Sequence, residues 1–409
     1  MEILMKKLLD WYVQTSLILR IIIGMLLGAL LGLSFPTMGG VPLLGTLFVG
    51  ALKGVAPVLV FILVLNALAN ARLGMGGRFK TVTFLYLVGT FFAACTAVIG
   101  SFLFPVTIKL NLAGANSTPP DGLGQILGNL FGNMVANPIA ALSQGNYVGI
   151  LFWAIVFGAC LKKLAKPETL TLMNDLSDMV SDAVKFVIQL APFGIMGLMF
   201  QVVSENGLAI FVDYGKLLLL LVGCMLFVAL IIDPLIVAFL LHKNPYPLIL
   251  QCLKESGVTA FFTRSSAANI PVNMALCQKL GLDQNFYSVS IPLGATINMG
   301  GAAVTITVMT LAVAQTMGVH LDIVTTIILS FLSTLGACGA SGVAGGSLLL
   351  IPMACSIFGI VNDVAMQAVA VGFVIGVVQD SVETAINSST DVIFTATAEM
   401  YKARITQSS

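Results

Sequence analysis

Four polar residues in an apolar stretch near the C-terminus, Asp380, Thr384, Asn387 and Asp391, stand at i, i+4, i+7 and i+11. At about 100° per residue, a helix gathers them within about 60° of one another as one narrow polar stripe. Glu383 stands beside that stripe. One carboxylate at mid-bilayer costs about 2.5 to 3.5 kcal/mol on the insertion scale, so three together call for a compensating cation or ammonium group. Two readings are open. One is a binding site for a cation and a charged solute; the other is an internal salt-bridge cluster, with Lys53 and Arg264 as available partners. Two cations do not neutralise three carboxylates, and the stripe also offers neutral oxygen ligands, which favours the binding site.

A second unusual stretch is Gly294-Ala295-Thr296-Ile297-Asn298-Met299-Gly300-Gly301, where Asn298 precedes a glycine pair that favours local unwinding. Unwound carbonyls together with Asn and Asp oxygens suit a hard cation, and no His or Cys cluster is present to suit a transition metal. Sodium is the economical ion. A packing kink is the alternative reading of this segment. His242 and His320 end apolar runs and read as interfacial residues, while Asp233-Pro234 reads as a kink with a locally satisfied carboxyl.

The elements that must position these groups are membrane helices. Of 409 residues, 19 are Lys or Arg and 18 Asp or Glu, 9% in all, against about 25% in soluble domains. No soluble surface can be built from that, and the net charge of +1 offers no field for nucleic acid. Seven scattered cysteines without a Cys-x-x-Cys spacing read as small buried hydrophobes. Apolar stretches run over about 16–35, 41–68, 81–106, 148–161, 172–203, 208–241, 286–317 and 364–396, giving eight transmembrane helices. If they alternate, Lys6, Lys7, Arg72, Arg78, Lys80, Lys162, Lys163, Lys166, Lys243, Lys402 and Arg404 fall on one side. The positive-inside rule makes that side, and both termini, cytoplasmic. The Gly-, Asn- and Pro-rich loop within 108–146 is then extracytoplasmic.

Two further apolar segments, about 245–281 and 323–360, are broken by Thr263-Arg264-Ser265-Ser266 and by the glycine-rich run Gly336 to Ser347. Each reads as a helix, a small polar turn and a returning helix. Their arms are short for full crossings, and non-helical backbone at membrane depth is tolerated only inside protein or along a wet cavity. Such a pair of interrupted segments points to a transporter's binding site. Close helix packing by small residues is the plainer alternative.

At these residues the chain resembles the dicarboxylate/amino acid:cation symporter family, which has the glutamate-transporter fold. Thr263-Arg264-Ser265-Ser266 is similar to its first hairpin tip, Leu293 to Met299 to its broken seventh helix, Gly339 to Gly345 to its second hairpin, and the 380–391 stripe to its eighth helix. The resemblance covers nearly the whole chain. It implies an all-α membrane protein of eight transmembrane helices plus two re-entrant helical hairpins, with inverted repeats, and a homotrimer in a bacterial inner membrane. It further implies a scaffold domain of residues 1–80 and 147–207, and a transport domain of residues 81–107 and 208–409 that slides against it. Lys53 would lie at or near the contact between them.

Carried over by position, the resemblance implies that Asp380 and Asn387 hold the α-amino and α-carboxyl groups of an amino acid. Thr384 would contact its side chain or amine, with hairpin contacts from Ser265, Ser266, Val343 and Gly345. One sodium site would use carbonyls of Gly294, Asn298 and Asn387 with the carboxylate of Asp391; a second would use carbonyls of Thr296, Ala337, Cys338 and Ala340. Sodium is then the coupling ion, and no covalently bound cofactor is implied.

Two departures narrow this expectation. Acidic-substrate members carry an Arg where this chain has Glu383, and a carboxylate repels a second carboxylate but accepts from a hydroxyl. Serine and threonine are the substrates this favours. The family's Asn-Met-Asp-Gly-Thr is here Asn298-Met299-Gly300-Gly301-Ala302, and Tyr86 to Thr90 has also lost a hydroxyl, which implies fewer sodium ions per cycle. The rivals are proton coupling through Glu383, a passive channel and an intramembrane enzyme. No nucleophile with a base or metal dyad is visible, which disfavours the enzyme, and the paired hairpin tips disfavour a channel.

Overall fold

Ser16 caps the first helix, its hydroxyl accepting from the backbone N–H of Leu19 at 3.3 Å, and the apolar run after it folds as α1, Leu17–Ser34. The computed structural model describes residues 15–70, 77–110, 128, 131–319, 321–340 and 345–408. Lys6, Lys7, Arg72, His320 and Val343 lie outside the described residues. Helices α2 (Val41–Asn70) and α3 (Gly77–Leu103) follow, then a short α4 (Pro138–Gln144) and α5 (Tyr147–Leu164). The 108–146 segment is thus not wholly irregular, because Asn137 caps α4 through its side-chain oxygen and Pro138 fits its first turn.

Next come the amphipathic α6 (Pro167–Gln189), α7 (Ala191–Asn206), α8 (Ile210–Phe227) and α9 (Asp233–Leu241). Seven described helices are long and apolar enough to cross a membrane, the longest covering Ala191–Leu241. That 51-residue stretch is two legs. It breaks where Gly207 takes a φ of 64°, a conformation that ends α7 and that residues with a Cβ avoid. The first leg, α7, has 16 residues and is about 24 Å long, so the span expected over 172–203 is corrected: that stretch is divided at Leu190 between the amphipathic α6 and α7.

The first hairpin consists of α10 (Tyr246–Cys252), a wide turn at Leu253–Gly257, α11 (Val258–Thr263), Arg264 in the left-handed region, and α12 (Ser266–Lys279). The second begins with α15 (Ile323–Ala337), reached after α13 (Gln284–Ile297) and α14 (Gly300–Thr316), which are separated by the break at Asn298 and Met299. It returns through a tight turn at Gly346–Leu350 and α16 (Ile351–Cys355). At about 1.5 Å per residue, α12 and α15 are roughly 21 to 23 Å long, short of the ~30 Å hydrocarbon core. The last helix, α17 (Asn362–Ser408), exceeds that core at about 70 Å.

Packing sets a first group, α1, α2, α5, α6 and α7, beside a second built around α3, α14 and α17. Gly24, Gly28 and Gly32 recur every fourth residue along α1. A Cβ on them would fall 2.2 Å from the Pro192 carbonyl oxygen, 2.2 Å from that of Met196 and 2.8 Å from that of Phe200. Small residues therefore seat α1 directly on the backbone of α7. In the second group every residue of α14 from Gly300 to Ala314 is buried, so this apolar helix has no lipid-facing side.

Two further expectations from the sequence are corrected by the fold. Asp233 is buried, but its Oδ2 has no hydrogen-bond partner among the described residues, so its carboxyl is not locally satisfied. The kink itself is present. Pro234 has no N–H to return to the carbonyl of Leu230, and the Tyr246 hydroxyl donates to that carbonyl at 3.2 Å. Lys53 does not reach the polar stripe; it pairs with Asp363 at the start of α17.

Candidate substrate and cation site

The α17 stripe is buried throughout, with Asp380 3% exposed, Thr384 6%, Asn387 4% and Asp391 0%. Its upper end meets both hairpins. Arg264 donates to Asp380 Oδ2 from Nε at 2.7 Å and from Nη2 at 2.7 Å, and the Gly345 N–H approaches Oδ1 at 3.3 Å. The two hairpin tips thus converge on one carboxylate. A cavity of about 20 Å³ beside it is lined by Arg264, Gly345, Phe373 and Asp380, which is room for about one water and not for an amino acid. Part of the salt-bridge reading therefore holds, since Arg264 neutralises Asp380, but it leaves Glu383 and Asp391 without a cation among the described residues.

Glu383 is held through one oxygen. Oε2 accepts from Thr305 Oγ1 at 2.6 Å, Ser347 Oγ at 2.9 Å and Gln379 Nε2 at 2.5 Å. Of these three partners helical spacing marks only Gln379, four residues before Glu383; Thr305 is one of several threonines on α14, and Ser347 lies in the second hairpin. Thr384 donates its hydroxyl to the Asp380 carbonyl at 2.8 Å, which leaves it acceptor capacity only. Ser265 caps α12 by accepting from the Ala268 N–H at 3.2 Å, and Ser266 beside it is buried.

The lower end of the stripe meets the broken α13–α14 pair. Asn298 Nδ2 donates to Asp391 Oδ1 at 2.9 Å, Thr390 Oγ1 at 2.8 Å and the Asn387 carbonyl at 3.3 Å. Asn387 Oδ1 in turn accepts from the Gly301 N–H at 2.7 Å, which an intact helix would have used internally. Gly294 presses on the same carboxylate, because a Cβ there would lie 2.6 Å from Asp391 Oδ1 and 2.9 Å from the Tyr86 hydroxyl. Gly294, Asn298, Asn387 and Asp391 are therefore brought together. Asp391 Oδ2 is left buried with no hydrogen-bond partner among the described residues. An orphaned carboxylate oxygen among carbonyls and amide oxygens is a donor set for a hard cation. For the second set, Cys338 Sγ reaches the Ile297 carbonyl at 3.4 Å, which places the end of α15 against the break next to Thr296; Ala337 and Ala340 flank that contact.

The chain matches the model of the sodium:dicarboxylate symporter family over residues 17–400. It belongs to that family. The chain is accordingly a symporter and a multi-pass membrane protein, not an enzyme. It is 56% identical over 396 residues to the "Serine/threonine transporter SstT" of Streptococcus thermophilus, covering 97% of this chain and 98% of the relative. A protein of the same name from Bifidobacterium adolescentis is 57% identical over 392 residues, covering 96% of this chain and 91% of the relative.

Beneath the first hairpin, the symporter carries a buried polar network that helical spacing does not reveal. Asn273 Nδ2 donates to the Ser388 carbonyl at 3.0 Å, Asn269 Nδ2 to Ser388 Oγ at 2.8 Å, and Ser256 Oγ to Asn273 Oδ1 at 2.5 Å. This network joins both arms of the hairpin to α17, fixing the depth at which Arg264 meets Asp380.

Proposed function

We propose that this symporter imports L-serine and L-threonine coupled to sodium, by alternating access. One observation carries the reading. A single buried face of α17 presents Asp380 to the two hairpin tips and Asp391, with an orphaned oxygen, to the broken α13–α14 pair eleven residues and about 16 Å away. The first carboxylate suits a substrate ammonium and the second a sodium ion. The names of the full-length relatives support the choice of amino acid.

In this mechanism the substrate ammonium takes over the charge that Arg264 supplies to Asp380. Asn387 donates to the α-carboxylate through Nδ2, since its Oδ1 is already engaged by Gly301. Thr384 accepts from the ammonium, and Ser265, Ser266, Val343 and Gly345 close the site from the hairpins. Glu383 receives the β-hydroxyl. Sodium binds Asp391 with carbonyls of Gly294, Asn298 and Asn387, and a second ion can use carbonyls of Thr296, Ala337, Cys338 and Ala340. Each bound charge lowers the cost of burying the other, which is a coupling free energy between two sites. Gly300 and Ala302 supply no side-chain oxygen, so the cycle uses fewer sodium ions than in acidic-substrate relatives.

Movement follows from the division into a scaffold (1–80 and 147–207) and a transport domain (81–107 and 208–409), assembled as a homotrimer with both termini cytoplasmic. The packing of α1 on α7 and of α3 and α17 on α14 supports that division. The test is uptake of labelled L-serine into proteoliposomes of purified protein under an inward sodium gradient, an equal proton gradient, or none. Concentrative uptake with sodium alone is the expected result. Uptake driven only by protons moves the coupling to Glu383 and removes sodium from Asp391.

A further inference from the structure

Glu383 has two oxygens in unlike surroundings. Oε2 accepts all three hydrogen bonds given to the carboxylate, from Thr305 at 2.6 Å, Ser347 at 2.9 Å and Gln379 at 2.5 Å. Oε1 accepts no hydrogen bond among the described residues, and Glu383 as a whole is buried, 6% exposed. The donors come from three elements: α14, the second hairpin and α17. Gln379 also donates to Thr305 Oγ1 at 2.7 Å, so two of the three brace each other. A carboxylate tethered in this way cannot turn over. Gly301 adds to the constraint, because a Cβ there would lie 2.8 Å from the Glu383 carbonyl oxygen and 3.1 Å from its Cγ.

Ser347 bridges the two acidic residues by its position. It lies two residues after Gly345, whose N–H approaches Asp380 Oδ1 at 3.3 Å. One short stretch of the second hairpin therefore touches both carboxylates, one through backbone and one through a hydroxyl. Asp380 and Glu383 are three residues apart on α17, so their side chains are neighbours on adjoining turns. A serine whose ammonium sits on Asp380 has its hydroxyl only two bonds from the α-carbon, within reach of the neighbouring carboxylate.

We propose that Ser347, Thr305 and Gln379 are positioning residues that determine substrate specificity. They fix Glu383 with Oε1 as the single open acceptor, so that a β-hydroxyl amino acid is distinguished from alanine only when the second hairpin is seated. Alanine leaves Oε1 without its donor, and a buried acceptor without a partner is costly. Since Ser347 belongs to the hairpin, the selection is made in the closed site and not at first encounter. The inference rests on the serine/threonine reading of the site.

The experiment is competition by unlabelled L-serine and L-alanine against labelled L-serine uptake into proteoliposomes under an inward sodium gradient, for the wild-type protein, Ser347→Ala, Ser347→Thr and Thr305→Val. The expected result is an about 10-fold fall in the serine-to-alanine preference for Ser347→Ala and Thr305→Val. Ser347→Thr, which keeps the hydroxyl, is expected to hold the wild-type ratio. A merely structural role would weaken both amino acids alike, and an unchanged ratio in Ser347→Ala and Thr305→Val overturns the proposal. If one variant does not fold, the other decides the ratio. Absence of serine uptake by the wild-type protein overturns the underlying functional reading instead, and so separates the two failures.

Discussion

Arg264, at the tip of the first hairpin, lies 2.7 Å from Asp380 Oδ2, so the carboxylate proposed to take a substrate's ammonium is already paired with a cation supplied by the protein. Their side chains are 12% and 5% exposed, which makes the pair largely buried. Removing one partner of such a pair costs about 3 to 5 kcal/mol, because the other charge is left uncompensated. Arg264→Ala is therefore expected to lower the melting temperature of the substrate-free protein in detergent, and L-serine to restore more of it than it adds to the wild type. A serine-induced shift no larger than the wild type's would show that the ammonium does not replace the guanidinium.

The proposed cation site has a steric test. Gly294→Ala would place a methyl 2.6 Å from Asp391 Oδ1 and 2.9 Å from the Tyr86 hydroxyl, so either the carboxylate or α13 must shift. The half-activating sodium concentration for serine uptake is expected to rise at least about 10-fold, the equivalent of roughly 1.4 kcal/mol. Gly223→Ala, where a Cβ meets nothing within 4 Å, serves as the control and is expected to match the wild type. Equal sodium dependence in the two variants argues against sodium at Asp391.

At the start of α13, outside the spans, Asp283 accepts from Arg78 Nη2 at 2.9 Å and caps the helix by accepting from the Asn285 N–H at 3.0 Å. The Arg78 guanidinium, and then the Asn285 N–H, hold its carboxyl below the usual carboxylate range. A group whose pKa is depressed by folding contributes stability above its unfolded value of about 3.9 and loses that contribution as pH falls through the folded one. Asp283→Asn keeps the cap but removes the charge. Its melting temperature is expected to lie below the wild type's at pH 7 and to converge on it below about pH 4. A gap that persists unchanged in acid would assign the loss to packing.

What could be read from the sequence was whatever repeats with the helical period. The 380–391 spacing placed four side chains on one face without any contact being known, and the Gly300-Gly301 pair marked the break that the structure has at Asn298 and Met299. Less legible were contacts between segments far apart in the chain. Thr305 and Ser347 look like ordinary small polar residues of a helix and a turn, and only folding brings their hydroxyls to the oxygen of Glu383 that Gln379, four residues before it, also reaches. Asp233 shows the opposite limit. Proline chemistry foretold its kink, but no local rule foretold that its carboxyl oxygen would find no partner among the described residues.

Lys53 of α2 pairs with Asp363 at the start of α17, and these residues belong to the two bodies that the proposed mechanism moves past each other. With side chains 43% and 81% exposed, such a pair is worth about 0.2 to 1 kcal/mol, enough to bias a two-position equilibrium roughly 1.5- to 5-fold. If the bodies slide, the contact can exist in only one position. Lys53→Ala and Asp363→Ala are then expected to change the uptake rate by similar factors and in the same direction, and the double variant by no more than either. Lys53→Cys with Asp363→Cys, in a background where the exposed Cys160 is replaced by Ser, is expected to lose uptake when the two thiols are joined by a flexible bifunctional thiol reagent and to keep it when each is capped singly. Full cross-linking with unimpaired uptake would mean that α2 and α17 do not move apart there, and transport would then have to proceed by hairpin opening alone.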